Sequence, residues 1–181
     1  MGRNMDFDDI YRQYAPQVFR VCMGYTNDHD QAKDLTQETF ILVWRHLGSF
    51  RGDSGVGTWI FRIATNNCLR AYERSQRVKV TSMDPAAPVL ENAPDTVGYP
   101  DTSGSLDARE AERREEKKRR FLYTCIADLA ETDRIIISLV LEDVPQADIA
   151  SIVGLSAVNT RVRIHRIKEK LALQFKQHGQ F

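Results

Sequence analysis

Residues 146–171 read QADIASIVGLSAVNTRVRIHRIKEKL. Pro145 stands just ahead of them, where a helix can begin without needing the missing N–H. Ile149, Ala150 and Val153 then recur at helical spacing, so a short helix over 145–153 buries that side. Gly154 follows, and glycine takes the left-handed turn of a tight helix–helix joint at no steric cost. Ser156 offers its hydroxyl as the cap of a second helix, expected over 156–175. At about 100° per residue, Thr160, Ile164, Ile167, Leu171 and Phe175 share the inner face of that helix. The stretch predicts a helix-turn-helix, and it sets a helical expectation for the whole chain.

The opposite arc of the second helix collects Val158, Asn159, Val162, Arg163, Arg166 and Lys170. An ordinary solvated face would carry charge without two valines among the cations. Asn and Arg can bond base edges in a major groove, and valine can touch thymine methyls. Arg161 and Lys168 flank the arc within reach of phosphates. Residues 156–176 hold six basic residues and one acidic residue, while the chain as a whole balances 25 against 25. A local cationic patch on a neutral protein points to an anionic partner for one element.

Upstream lie two more helical patterns, Asp107–Leu129 and Asp133–Leu141. Before them, Val80–Ser105 reads VTSMDPAAPVLENAPDTVGYPDTSGS, with four prolines and almost no periodicity. That composition predicts a flexible, weakly acidic linker, too long to sit easily inside one compact domain. The expected division is therefore residues 1–77, a linker over 78–108, and residues 109–181. In the first part, Phe7–Met23 carries Ile10, Tyr11, Tyr14, Val18 and Phe19 near helical spacing. Gln31–Leu47 follows, capped by Asp28 or Asp30, and a third helix starts at Thr58 and runs to about Arg77. Alternating strand patterns of useful length are missing. The expected fold is all-α: two small helical domains joined by a flexible linker.

Composition narrows the function. Within the 181 residues no apolar run approaches the length of a membrane span, and MGRNMD lacks the apolar region of a secretory leader. Position 6 is Asp, which disfavours myristoylation of the Met-Gly start. A soluble, cytoplasmic protein without membrane insertion is expected. Cys22, Cys68 and Cys125 are far apart, and His29, His46, His165 and His178 show no ligand spacing. Neither a disulfide framework nor a metal site nor a cofactor is expected.

Two stretches of the first part ask for partners. Residues 34–44 read DLTQETFILVW. Leu35, Thr39, Phe40, Leu42, Val43, Trp44 and Leu47 span a broad apolar arc, leaving Asp34, Gln37, Glu38, Ile41 and Arg45. Asp34 and Glu38 are like charges four apart, which disfavours an isolated helix. Beside an exposed Ile41 they suit a partner that is basic and partly apolar. Residues 50–77 read FRGDSGVGTWIFRIATNNCLRAYERSQR. Ile60, Ala64, Cys68 and Ala71 face inward, with Phe61 and Tyr72 at one edge, and the other arc carries Trp59, Arg62, Ile63, Asn66, Arg70, Glu73 and Arg74. An aromatic among arginines and an asparagine is the composition of a platform for unstacked bases. The loop before it has Gly52, Gly55 and Gly57, whose open backbone could surround an extruded base.

Taken together, these stretches resemble the bacterial RNA polymerase sigma factors of the extracytoplasmic-function (ECF) group. DLTQETFILVWRHLGSFRGDSGVGTWIFRIATNN is similar to their conserved region 2. ADLAETDRIIISLVLEDVPQADIASIVGLSAVNTRVRIHRIKEKL is similar to region 4. The resemblance implies a factor that binds core polymerase, grips and helps melt the −10 promoter element with region 2, and reads the −35 element with region 4. Asp34, Gln37, Glu38 and Ile41 would then dock on the clamp helices of the β′ subunit. The loop Arg51–Gly57, with Asp53, Ser54 and Val56, would hold a flipped non-template base, and Trp59, Arg62, Asn66, Asn67 and Arg70 would meet the upstream edge of the bubble. Ser156 to Arg166, with Lys170 beyond, would enter the major groove. Many members of the group are held by an anti-sigma factor.

The chain also departs from the group. It has Gly-Val-Gly at 55–57 where a bulky aromatic or an arginine is usual, and Glu73 on a usually more basic arc. Val144 and Pro145 replace the usual serine cap, and Asn159 and Val162 are its own. These differences bear on promoter sequence rather than on function. Two other classes compete with this one. A regulator with a helix-turn-helix output explains residues 131–175 but gives no reason for Trp59, Arg62 and Asn66 on one face. An enzyme would need a paired His and carboxylate, a P-loop or a nucleophile elbow, and the sequence offers none of these.

Overall fold

The computed structural model describes residues 6–81 and 106–178, so the bulk of the expected linker lies outside the described residues. The helices are α1 (Phe7–Thr26), α2 (His29–His46), α3 (Val56–Thr81), α4 (Leu106–Ala127), α5 (Glu131–Leu141), α6 (Gln146–Val153) and α7 (Ala157–His178), with one 3-10 turn at Leu47–Ser49. Strands are absent among the described residues, as the helical periodicity requires. Two starts are built by side-chain caps. The Asp6 carboxylate accepts from the Asp8 N–H at 3.3 Å, and the Asp28 carboxylate from the Gln31 N–H at 2.8 Å. Of the two expected caps for the second helix, Asp28 is the one used.

Three expectations shift. The third helix begins at Val56 rather than at Thr58, because the Trp59 N–H already reaches the Gly55 carbonyl at 3.1 Å. In α6 the third buried residue is Ile152, while Val153 is only half-buried. Trp44, expected on the apolar arc of α2, is 66% exposed. Leu35, Phe40 and Val43 do face inward.

Helices α1–α3 form one half and α4–α7 the other, and a single apolar core runs through both. α1 lies between them, against α2 and α3 on one side and α4 and α5 on the other, while α3 reaches α6. Val18, Val43, Ile60, Ile126, Ile136, Leu139 and Ile149 are fully buried in that core. Polar bonds cross the same boundary. Arg20 donates two hydrogen bonds to the Glu142 carboxylate at 2.7 and 2.6 Å, and these raise the arginine pKa above its ordinary value. Arg134 reaches the Tyr25 carbonyl at 3.5 Å.

All three cysteines are buried free thiols. Cys22 of α1 and Cys68 of α3 approach to 3.8 Å. The hydrogen bond from Cys68 lowers the Cys22 pKa, and the same bond together with burial pushes the Cys68 thiol well up.

Candidate nucleic-acid interface

The helix-turn-helix is assembled by local bonds. Gly154 has φ +70°, and the Leu155 N–H returns to the Ala150 carbonyl at 3.0 Å, which closes α6. The Ser156 hydroxyl accepts from the Asn159 N–H at 3.2 Å and caps α7. Thr160, Ile164, Ile167 and Leu171 are then buried, and Phe175 meets Phe121 edge to face at 4.9 Å. That inner face turns Val158, Asn159, Arg161, Val162 and Arg166 outward. Val158 is 72% exposed, so α7 presents apolar surface among its cations. Arg163 and Lys170 are held from the side. Arg163 pairs with Asp133 of α5 at 3.1 Å, and the Lys170 ammonium reaches the Asp128 carbonyl just past α4 at 3.4 Å.

The second surface lies on α3 and the loop before it. Arg51 and Asp53 are exposed, and Ser54 and Val56 are half-buried. The Trp59 ring tilts against Phe50 at 4.9 Å, which fixes its orientation beside the loop. The sequence reading missed Phe50. Its signal was an aromatic directly before the Arg51–Gly57 loop. The glycines of this loop differ in role: Gly52 takes φ +75°, while Gly57 lies inside α3, where an added Cβ would stand 2.9 Å from the Tyr14 ring. Gly57 thus serves the packing of α3 on α1 and not an open loop. Asn66 and Arg70 are exposed on the Trp59 face, and Arg62 is half-buried there. Asn67, expected on that face, turns inward: it is 7% exposed, and its amide donates to the Leu35 carbonyl at 3.3 Å and the Thr39 hydroxyl at 3.5 Å.

The third surface is on α2. Asp34, Gln37, Glu38 and Ile41 are all exposed, Ile41 by 50%. Trp44, three residues on, continues this stripe. Glu38 lies 3.7 Å from Arg74 of α3. A groove of about 490 Å³ runs between the two helices, with Glu38 and Ile41 on one wall and Arg70 and Arg74 on the other. The groove therefore joins the acidic-apolar stripe of α2 to the C-terminal part of the α3 face, Arg70, Glu73 and Arg74, while Arg62 and Asn66 line a separate cavity against α5 and α6. The exposed arc of α7 stands apart on the other half.

Comparison with known proteins matches both halves of the chain. The Sigma-70 region 2 family matches residues 10–78, and the Sigma-70, region 4 family matches residues 120–171. The ECF RNA polymerase sigma-E factor of Salmonella typhimurium is 30% identical over 171 residues, 94% of this chain and 86% of that protein. The chain belongs to the ECF sigma factors of the sigma-70 family. The RNA polymerase sigma factor YlaC of Bacillus subtilis is 26% identical, covering 94% of this chain and 92% of its own. The ECF RNA polymerase sigma factor SigG of Mycobacterium tuberculosis is 29% identical over 93% of this chain, which spans 48% of that longer factor, about half its length. Two solved structures share this fold. The sigma factor RpoE in complex with the anti-sigma factor NepR from Bartonella quintana has a TM-score of 0.65, 22% identity, and coverage of 94% of this chain and 97% of that one. CnrH in complex with the cytosolic domain of CnrY has a TM-score of 0.63, 18% identity, and coverage of 95% and 88%.

Proposed function

We propose that this chain binds core RNA polymerase, directs it to promoters through their −10 and −35 elements, and assists melting, with no catalytic residue of its own. The observation that carries this reading is the shared groove. The cationic end of the α3 face, Arg70 and Arg74, stands across that groove from the exposed acidic and apolar stripe on α2, in a chain that also holds a helix-turn-helix. A duplex-binding regulator needs only the last of these.

The roles follow the surfaces. Asp34, Gln37, Glu38 and Ile41 dock on the β′ clamp helices, and exposed Trp44 extends that contact. Arg51, Asp53, Ser54 and Val56 line the pocket for a flipped base. Trp59, Arg62, Asn66 and Arg70 receive the non-template strand by stacking and charge. Asn67 acts behind them by fixing α3 to α2. Ser156, Val158, Asn159, Arg161, Val162 and Arg166 enter the −35 major groove, Arg163 is aimed by Asp133, and Lys170 meets the backbone at the rim. Residues 1–77 make the −10 unit, 78–108 the connection, and 109–181 the −35 unit. Among the described residues no helix is long and apolar enough to cross a membrane. On this reading the chain works in the cytoplasm, where its polymerase partner is. An anti-sigma factor is a further partner, by analogy with the complex of RpoE and NepR.

Run-off transcription with core polymerase on a promoter library tests the reading. The expected result is a set of transcripts that require both core enzyme and this protein. A library that yields none would refute it, as would tight promoter binding by the protein alone.

A further inference from the structure

The promoter reading leaves one pair of reactive side chains without a role. Cys22 of α1 and Cys68 of α3 are 0% and 1% exposed, and the Cys68 S–H donates to the Cys22 sulfur at 3.8 Å. They stand 46 positions apart in the chain, so only the packing of α1 on α3 brings them together. Cys125, on α4, stands outside the pair. A core position needs only a small apolar group, which alanine or valine supplies. Two sulfurs in contact add a chemistry that neither of those residues has.

A disulfide needs its sulfurs at about 2.05 Å. Closing from 3.8 Å takes rotation of the two side chains and a small approach of the helices. The surroundings suit that approach. About one turn on either side of Cys68 stand Ala64, fully buried, and Ala71, half-buried, which put little bulk between α3 and its neighbours. The pair is also chemically unequal. The hydrogen bond from Cys68 holds the Cys22 thiol below its ordinary pKa against the cost of burial, with a smaller contribution from the Thr36 hydroxyl. The same bond, together with burial, pushes the Cys68 thiol well up. Cys22 is therefore the nucleophile and Cys68 the partner that keeps its proton.

We propose that Cys22 and Cys68 form a modification site, a dithiol that a hydroperoxide converts to an intramolecular disulfide and a small thiol restores. The Cys22 thiolate attacks one oxygen of hydrogen peroxide. The S–O bond forms, the O–O bond breaks, and the departing hydroxide takes up a proton as water. The Cys68 sulfur then attacks the Cys22 sulfenic acid. The S–S bond forms, the S–O bond breaks, and the second hydroxide leaves with the Cys68 proton as water. The two thiols are oxidised by two electrons and the peroxide is reduced to two waters. Two exchanges with a small thiol, itself oxidised to its disulfide, reverse the change. Hydrogen peroxide is hardly larger than water, so a slight parting of α1 and α3 admits it. The bridge ties α1 to α3 within the first half, and it stands whether or not α3 meets promoter DNA.

The test treats the full folded chain with hydrogen peroxide, then alkylates it in denaturant and maps the peptides by mass. The expected result is the loss of two of the three alkylatable thiols, with a Cys22 peptide joined to a Cys68 peptide and Cys125 still alkylated. Dithiothreitol should restore all three. The bridged chain should melt higher than the reduced one, because a cross-link over 46 positions restricts the unfolded chain. Cys68→Ala should lose the link with its helical content retained by circular dichroism, and if that variant fails to fold the wild-type map decides alone. Thiols that stay fully alkylatable under peroxide that oxidises free glutathione would overturn the site. Links spread over all three cysteines would do the same, since they mark oxidation of an unfolded chain. A bridged chain that melts lower would also overturn it, by showing that α1 and α3 do not accommodate the bond.

Discussion

Asn66 and Asn67 are neighbours in the chain with opposite surroundings, and the contrast sets what each can do. Asn66 is exposed beside Arg62, while Asn67 spends its amide on the Leu35 carbonyl and the Thr39 hydroxyl. Asn67→Ala is expected to lower stability by about 1 kcal/mol, the usual worth of a buried hydrogen bond, read as a shift in denaturant midpoint. A surface role alone would leave that midpoint unmoved. On α7, Arg166→Ala is expected to weaken −35 binding by about 1–3 kcal/mol, measured by fluorescence anisotropy of the holoenzyme on a −35 duplex. Undiminished affinity would remove Arg166 from the interface. Arg166 lies on the exposed arc of α7 as the sequence predicts, because charge and helical phase agree there. The sequence misplaces Asn67 because both asparagines are polar, and one step of about 100° decides which faces α2. Only the position of a partner carbonyl on another helix resolves that choice.

Helix α2 shows the same limit at the next scale. Its exposed acidic residues were legible, since Asp34, Gln37, Glu38 and Ile41 repeat at three- and four-residue intervals and no apolar periodicity claims them. Trp44 was not. Phe40–Trp44 is a run of five apolar residues, and five consecutive positions go fully round a helix. At least one must face outward, and the packing of α1 and α3 decides that it is Trp44 as well as Ile41. An Asp34→Lys, Glu38→Lys double variant is expected to lose competition for core polymerase, with its helical content retained by circular dichroism. Trp44→Ala should lose about 2 kcal/mol of the same affinity, as buried aromatic anchors do. Core binding at wild-type strength in both would move the docking site elsewhere. Helix starts and stops were readable to within a few residues because caps announce them, as at Asp28, Gly154 and Ser156.

The relation of the halves was the least legible feature. Proline-rich composition over 80–105 argued for two separate domains, and no local pattern encodes a contact across so long a gap. α1 illustrates this: it packs against α2, α3, α4 and α5, yet its buried residues Ile10, Val18, Val21, Cys22 and Tyr25 fall on one continuous arc, a pattern that a separate three-helix domain would equally produce. Since one core joins the halves, thermal unfolding is expected as a single transition, with helix loss and tryptophan fluorescence coincident. Two resolved transitions would mean that each half folds on its own. A side chain added at Gly24 of α1 would run into Ser138 of α5, so Gly24→Leu should split the transition or broaden it.

Cys22 and Cys68 lie in the first half and Cys125 in the second, all three within 3% of full burial. The chain therefore carries its own chemical clock. An alkylating reagent can reach these sulfurs only when the helices around them part, so the modification rate of each thiol counts local openings without any introduced probe. Equal rates at all three would describe a molecule that breathes as a unit, and a faster Cys125 would describe one whose helix-turn-helix half loosens first.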